Sequence, residues 1–484
     1  MSRLLRPLTV AVAVLIALSA GALVAVGARG GGRTTANSTI GSARSPNGAA
    51  STLPAGPTVP TSPGNPVPSQ PPGSTGTTGA PSTTVPLSPL ARLTAAEDGT
   101  VAGTDSCLVI EDAGGRILYQ HQPDASLIPA STQKLLVAEA ALATLGPNYR
   151  FTTSVVAPAA PVNGQVSAMW LVGRGDPLLA APEFVASTAG QVRVAGYPWT
   201  SLATLADELA AAGITAVPGG MRGDDGYEDR LRFLPAWPAL YEQQKQIGLL
   251  SALSVNEGIQ FAPPQSPLAQ DPPNYAAAEL ARLLGQRHVV AAAGPDQSAP
   301  AGAVVLASVS SAPLSQIVEA MLRASDNWIA ELLVRAMDKA GGGAGTTAGG
   351  LAIVRRQATA AGIPLGGVQM DDGSGLSRSD RSSCRALLAA LDLGNQPAYA
   401  PIMAGLPVAA ESGTLALRYR GSPLAGRLQA KTGSLDNAGG MVGVLSGAAP
   451  VRFAFLDNDV ETDTALLAKE DAVVAAMAPY AGVG

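Results

Sequence analysis

Ser131 and Lys134, in the stretch "IPASTQKLLVAEAALATLG", stand three positions apart at the front of an apolar run. In a helix such positions share a face, so the amine can reach the hydroxyl. A serine hydroxyl is a poor nucleophile until a base removes its proton. A lysine can be that base only when burial or a second cation depresses its pKa. At the start of a helix the serine oxygen also meets backbone N–H groups and the positive end of the dipole. Taken alone, the pair reads more simply as a capping serine beside a solvated lysine. Lysine is scarce, however: the chain has Lys134, Lys245, Lys339, Lys431 and Lys469 and no others.

Two further stretches change the balance. "LRASDNWIAELLVRAM" carries Ser325-Asp326-Asn327 between two helical patterns, and "LQAKTGSLDNAGG" carries Lys431-Thr432-Gly433 where a strand enters a turn. Each in isolation is an ordinary cap or turn. In order they form the set Ser-x-x-Lys, Ser-x-Asn, Lys-Thr-Gly, two members of which use the scarce lysines.

With these motifs the chain resembles the penicillin-binding D-Ala-D-Ala carboxypeptidases that carry a large insert between the first two motifs. Ser325 lies 194 positions after Ser131, room for that insert. The likeness runs over about residues 91–484 and includes "GRGDPLL", "DDGYED", "LLSALSVNEG", "DDGSGLSR" and "ESGTLALRY". Ser434 stands where the family usually has threonine; it keeps the hydroxyl and the backbone N–H.

The resemblance implies an α/β (α+β) fold: a penicillin-binding, β-lactamase-like transpeptidase domain with an antiparallel sheet flanked by helices, plus an inserted mixed α/β domain. It implies a serine peptidase that removes the terminal D-alanine of peptidoglycan stem peptides through an acyl-enzyme. Peptidoglycan crosslinks become a second substrate, and β-lactam antibiotics covalent inhibitors. By the same resemblance Ser131 is the nucleophile and Lys134 its base. Ser325 and Lys431 relay a proton to the leaving group, and Asn327 holds the substrate amide. Lys431, Thr432 and Ser434 bind the terminal carboxylate next to Gly433, and the N–H groups of Ser131 and Ser434 form the oxyanion hole. Lys431 is expected to lower the pKa of Lys134. Leu376, Arg378 and Asp224 are candidates for the pocket that takes the stem side chain, with Asp225 and Tyr227 beside them. Neither a metal nor a cofactor is implied. The competing reading is a catalytically weak envelope scaffold that binds peptidoglycan through the same cleft.

Other chemistries fit less well. After Asn327 the next glutamates are Glu331 and Glu411, neither in the Glu-x-x-Leu-Asn context that a class A β-lactamase uses to deacylate. No Gly-x-Ser-x-Gly elbow marks a different serine, and His121 and His288 are isolated. A net charge of −5 without a basic cluster excludes a nucleic-acid surface.

The surrounding elements must hold three distant motifs together. With 4% aromatic and 14% charged residues, the core has to be aliphatic. Residues 1–7 read as a cytoplasmic stub. The uncharged apolar run 8–28 is long enough to cross a bilayer and is expected to be a retained anchor, or a signal segment if cleaved. Residues 29–90, rich in Pro, Ser, Thr and Gly, form a tether that cannot bury a core. Extended at ~3 Å per residue, it would reach well over ~100 Å. The catalytic domain is expected in 91–147 and 297–484 with the insert in 148–296. This places the enzyme on the extracytoplasmic face of the cell envelope, anchored or secreted. Cys107 and Cys384 can pair only if the fold brings them together, which the sequence leaves open.

Overall fold

The computed structural model describes residues 86–458, 460 and 462–484. The stub, the apolar run and nearly all of the tether lie outside them. In chain order the strands are β1 (Ser106–Asp112), β2 (Ile117–His121), β3 (Thr152–Ala157), β4 (Met169–Val172), β5 (Leu179–Ala180), β6 (Thr200–Ser201), β7 (Ala216–Asp224), β8 (Val290–Ala293), β9 (Val304–Ser310), β10 (Leu428–Leu435), β11 (Ala438–Leu445) and β12 (Val451–Asp457).

One sheet has the order β10-β11-β12-β1-β2, with neighbours antiparallel throughout. Its strands show why it is buried on both faces. Side chains alternate across a sheet, and in β1 Cys107 and Val109 face one cluster while Leu108 and Ile110 face another. β12 does the same, with Ala454 and Leu456 on the first side and Phe453 and Phe455 on the second. The helix Asp463–Ala481 covers the second face through Val473, Val474 and Met477.

The first face carries the catalytic helices. Lys134–Leu145 ("KLLVAEAALATL") is apolar all round, as a helix inside a core must be. It packs among Leu314–Ala324, Asn327–Ala340, Thr347–Ala360 and Cys384–Leu393. Asp326 caps the second of these, its carboxyl accepting the Ile329 N–H at 3.0 Å; such caps contribute about 1 kcal/mol. Cys107 in β1 and Cys384 at the start of the helix Cys384–Leu393 form a disulfide, with Cα atoms 5.9 Å apart.

The second sheet has the order β8-β7-β4-β3-β9. β3 pairs antiparallel with β4 and β9, while β4–β7 and β7–β8 are parallel. The helices Leu202–Ala211 and Pro272–Gly285 bury its aliphatic side chains. Segment 304–310 lies on the catalytic side of the boundary expected at 296, yet it pairs with β3, so the second sheet runs on to Ser310. Its neighbour in sequence, the helix Leu314–Ala324, joins the catalytic core, and the chain crosses between the two regions near Ser311. Among the described residues no helix is long and apolar enough to cross a membrane.

Candidate active site

Ser131 sits in a short 3-10 turn, Ala130–Gln133, that runs directly into the helix Lys134–Leu145. Lys134 is fully buried. Its ammonium group contacts Ser131 Oγ at 2.8 Å, Asn327 Oδ1 at 2.7 Å and the Ser374 carbonyl at 2.6 Å, which uses all three donors of a lysine. Burial lowers its pKa to about 8, against the pull of Asp372, Asp326 and Glu331, while Arg193 adds a smaller lowering. The amine therefore reaches the range in which a neutral lysine can accept a proton near neutral pH.

Lys431 is equally buried and donates to Ser325 Oγ at 2.8 Å. Its pKa falls well below the ordinary lysine value, through burial first and the Lys134 charge second. Burial is the largest cause at both amines, and the charge of one disfavours the charge of the other. Ser325 itself adopts a left-handed backbone with φ 61°.

β10 is an edge strand, and at Gly433 it passes so close to the nucleophile turn that an added Cβ would lie 3.2 Å from the Ser131 nitrogen and 2.8 Å from the Pro129 carbonyl. The Lys-Thr-Gly glycine is thus a matter of close approach. Thr432 Oγ1 pairs with Thr414 Oγ1 at 2.8 Å. Ser131, Ser325, Thr432, Gly433 and Ser434 line one cleft of about 460 Å³. All three motifs therefore meet.

A fourth stretch completes the site. The loop "DDGSGLSR" presents the Ser374 carbonyl to Lys134 and is held by buried carboxyl groups. Glu331 accepts the N–H groups of Gly373 and Ser374 at 2.9 and 2.7 Å. Asp372 accepts those of Gly375 and Ser377 at 2.6 and 2.7 Å, and the Trp237 indole at 2.7 Å. Burial, and after it the neighbouring Asp372 carboxyl, push Asp380 up to about 10, and burial pushes Glu331 up to about 8. The stretch was legible as part of the resemblance, but nothing in the pattern marked Ser374, Glu331 or Asp372 as the supports of Lys134.

The outer candidates have other placements. Leu376 is buried among Leu234, Trp237 and Trp328. Asp224 accepts the N–H groups of Gly226 and Ala299 at the end of β7. Asp225 pairs with Arg232 and Arg230, and Tyr227 lies under the cations of Arg174 and Lys339. Arg378 is exposed and donates to the Asp436 carbonyl in the β10–β11 turn. None of these belongs to the cleft lining found among the described residues, which instead includes Arg193, Thr414, Arg418 and Glu470. No group of His, Cys, Asp and Glu among the described residues could hold a metal.

The profile of the D-Ala-D-Ala carboxypeptidase 3 (S13) family matches residues 91–267 and 263–479. This chain belongs to that family. It is 30% identical over 466 residues to the D-alanyl-D-alanine carboxypeptidase of Actinomadura sp. (strain R39), covering 80% of this chain and 83% of that protein. A carboxypeptidase of Mycobacterium tuberculosis is 34% identical over 392 residues, covering 78% of this chain and 81% of that one. Penicillin-binding protein 4 of Haemophilus influenzae has the same fold, with a TM-score of 0.65 at 20% identity, over 80% of this chain and 98% of that structure. Family membership makes the chain a serine-type D-Ala-D-Ala carboxypeptidase of the cell envelope.

Proposed function

We propose that the enzyme releases the terminal D-alanine of peptidoglycan stem peptides by the following steps. Neutral Lys134 takes the proton of Ser131 Oγ as that oxygen attacks the D-Ala carbonyl. The N–H groups of Ser131 and Ser434 stabilise the oxyanion. Ser325 delivers its hydroxyl proton to the leaving D-alanine nitrogen as the peptide bond breaks and is reprotonated by the Lys431 ammonium group bonded to it. Water then attacks the ester at Ser131, giving its proton through Ser325 back to Lys431, while the Lys134 ammonium returns its proton to the departing Ser131 oxygen.

Thr432, Ser434 and Lys431 receive the substrate carboxylate beside Gly433. The depressed pKa of Lys431 fits this role. An anion entering the cleft favours the charged amine, so carboxylate binding and proton uptake at Lys431 reinforce each other. The observation that carries the reading is the 2.8 Å contact between a fully buried lysine and the Ser131 hydroxyl. A degenerate scaffold has no reason to bury an amine at the cost of its solvation.

β-Lactams present an acyl carbon and a carboxylate in the same relation and acylate Ser131. The apolar run 8–28 anchors the enzyme to the membrane, with residues 29–90 as a tether. The buried disulfide accords with an oxidising compartment outside the cytoplasm.

Mass spectrometry after penicillin treatment tests the assignment: an adduct on the peptide containing Ser131, together with D-alanine release from a D-Ala-D-Ala peptide, is expected. An adduct elsewhere, or none, rejects it. Crosslinked muropeptides run in parallel measure the share of endopeptidase action.

A further inference from the structure

The Ser-x-Asn turn is held from outside the catalytic domain. Four bonds from three separate stretches of the inserted region converge on residues 324–328. Arg193 donates to the Ala324 carbonyl at 2.9 Å. The Tyr197 hydroxyl donates to Asp326 Oδ2 at 2.9 Å. The Gln246 carbonyl accepts Asn327 Nδ2 at 2.9 Å, and the Pro177 carbonyl accepts the Trp328 indole at 3.0 Å.

A second observation points the same way. Ser325 is held at a positive φ that few residues other than glycine adopt, and such a conformation persists only where its surroundings over-determine it. The bonds from the insert do so on both sides of Ser325. They also set Asn327: with Nδ2 engaged by Gln246, its Oδ1 is the atom turned to Lys134.

We propose that the inserted region is a working part of the catalytic centre, a clamp in which Arg193 and Tyr197 are positioning residues for the Ser325 proton relay. The inference rests on the reading of Ser325 given above. The clamp keeps Ser325 Oγ on Lys431 and Asn327 Oδ1 on Lys134, so the two amines stay in register across a turn that neither helix fixes alone. The insert thereby governs the rate of the chemical step more than the binding of substrate.

The test is Tyr197→Phe, which removes one hydroxyl from a buried ring. Acylation of the whole enzyme by a fluorescent penicillin resolves the initial dissociation constant from the acylation rate constant. The clamp requires the rate constant to fall about tenfold, with the dissociation constant within about twofold of wild type and the melting temperature almost unmoved. An unchanged rate constant in the folded variant overturns the proposal, as does a loss confined to stability. Should Tyr197→Phe fail to fold, Trp328→Phe, which removes the indole N–H bonded to Pro177 together with part of the ring, is read by the same criteria. A wild-type enzyme that takes no label at Ser131 sinks the site assignment and the clamp together. A labelled wild type with an unaffected variant sinks the clamp alone.

Discussion

Lys134 Nζ and Asn327 Oδ1 lie 2.7 Å apart although 193 positions separate them in the chain. The contact joins the N-termini of two buried helices, and it is made by an amide, which adds no charge next to the base. Asn327→Asp would place a carboxyl group there. An opposite charge at this distance raises a lysine pKa by about 1–3 units. In the wild type, where Lys134 titrates at about 8, acylation should rise with pH through that value, because only the neutral amine accepts a proton. In the variant the rise should move at least about one unit higher, with roughly tenfold slower acylation at pH 7. Penicillin acylation rates from pH 6 to 10 decide this, and an unmoved profile would detach Asn327 from the base.

Gly375 gives a steric prediction. It holds φ +81°, and an added Cβ would come within 2.0 Å of the Ala130 carbonyl and 3.1 Å of the Ser131 nitrogen. Both contacts are backbone, so neither can swing aside. Gly375→Ala should push the Ser131 turn and the Ser374 carbonyl apart, with acylation falling at least about a hundredfold and stability by about 1–3 kcal/mol. Gly366→Ala, in open space with nothing near its Cβ position, is the matched control and should leave both unchanged.

Much of this was written in the sequence, and what was missing has a common cause. The three motifs, the helix after Ser131, the hairpin around Gly114-Gly115 and the final helix each announce themselves through local spacing or turn residues. The carboxyl groups behind Lys134 do not, since Glu331, Asp372 and Asp380 look like any acidic residues until the fold buries them. Arg193 and Tyr197 lie in an unremarkable loop, and only tertiary packing aims them at the Ser325 turn. Asp224 shows the opposite case: a carboxylate in a suggestive stretch satisfies two backbone N–H groups, a local role that the sequence does not mark. The boundary at 296 missed β9 because a strand carries no mark of which sheet will receive it.

The disulfide should matter for stability and little for chemistry. Cys107 and Cys384 close a loop of 277 positions and tie β1 to the helix Cys384–Leu393, on the face of the sheet that carries the catalytic helices. Replacing both by serine removes a constraint on the unfolded chain, a loss of about 2–5 kcal/mol. Thermal melts should show the lower midpoint, while acylation at 25 °C stays within about twofold of wild type. A large loss of activity in the folded variant would mean that the bond also shapes the cleft.

Glu139 lies inside the helix that follows Ser131, fully buried, and neither carboxyl oxygen has a hydrogen-bond partner among the described residues. Burial raises its pKa from 4.5 to about 7. The sign of the consequence follows from linkage. Below about pH 4.5 both folded and unfolded chains hold the proton, and the group is neutral to stability. Between that point and about 7 the unfolded chain releases a proton that the folded chain keeps, so stability falls as pH rises. Glu139→Met fills similar space without polar atoms. It should stabilise the enzyme by about 1–3 kcal/mol at pH 8 and clearly less at pH 5. Urea unfolding at the two pH values measures the difference. A gain that is equal at both would trace the effect to packing alone, and a loss at pH 8 would show that the carboxylate has a partner it needs.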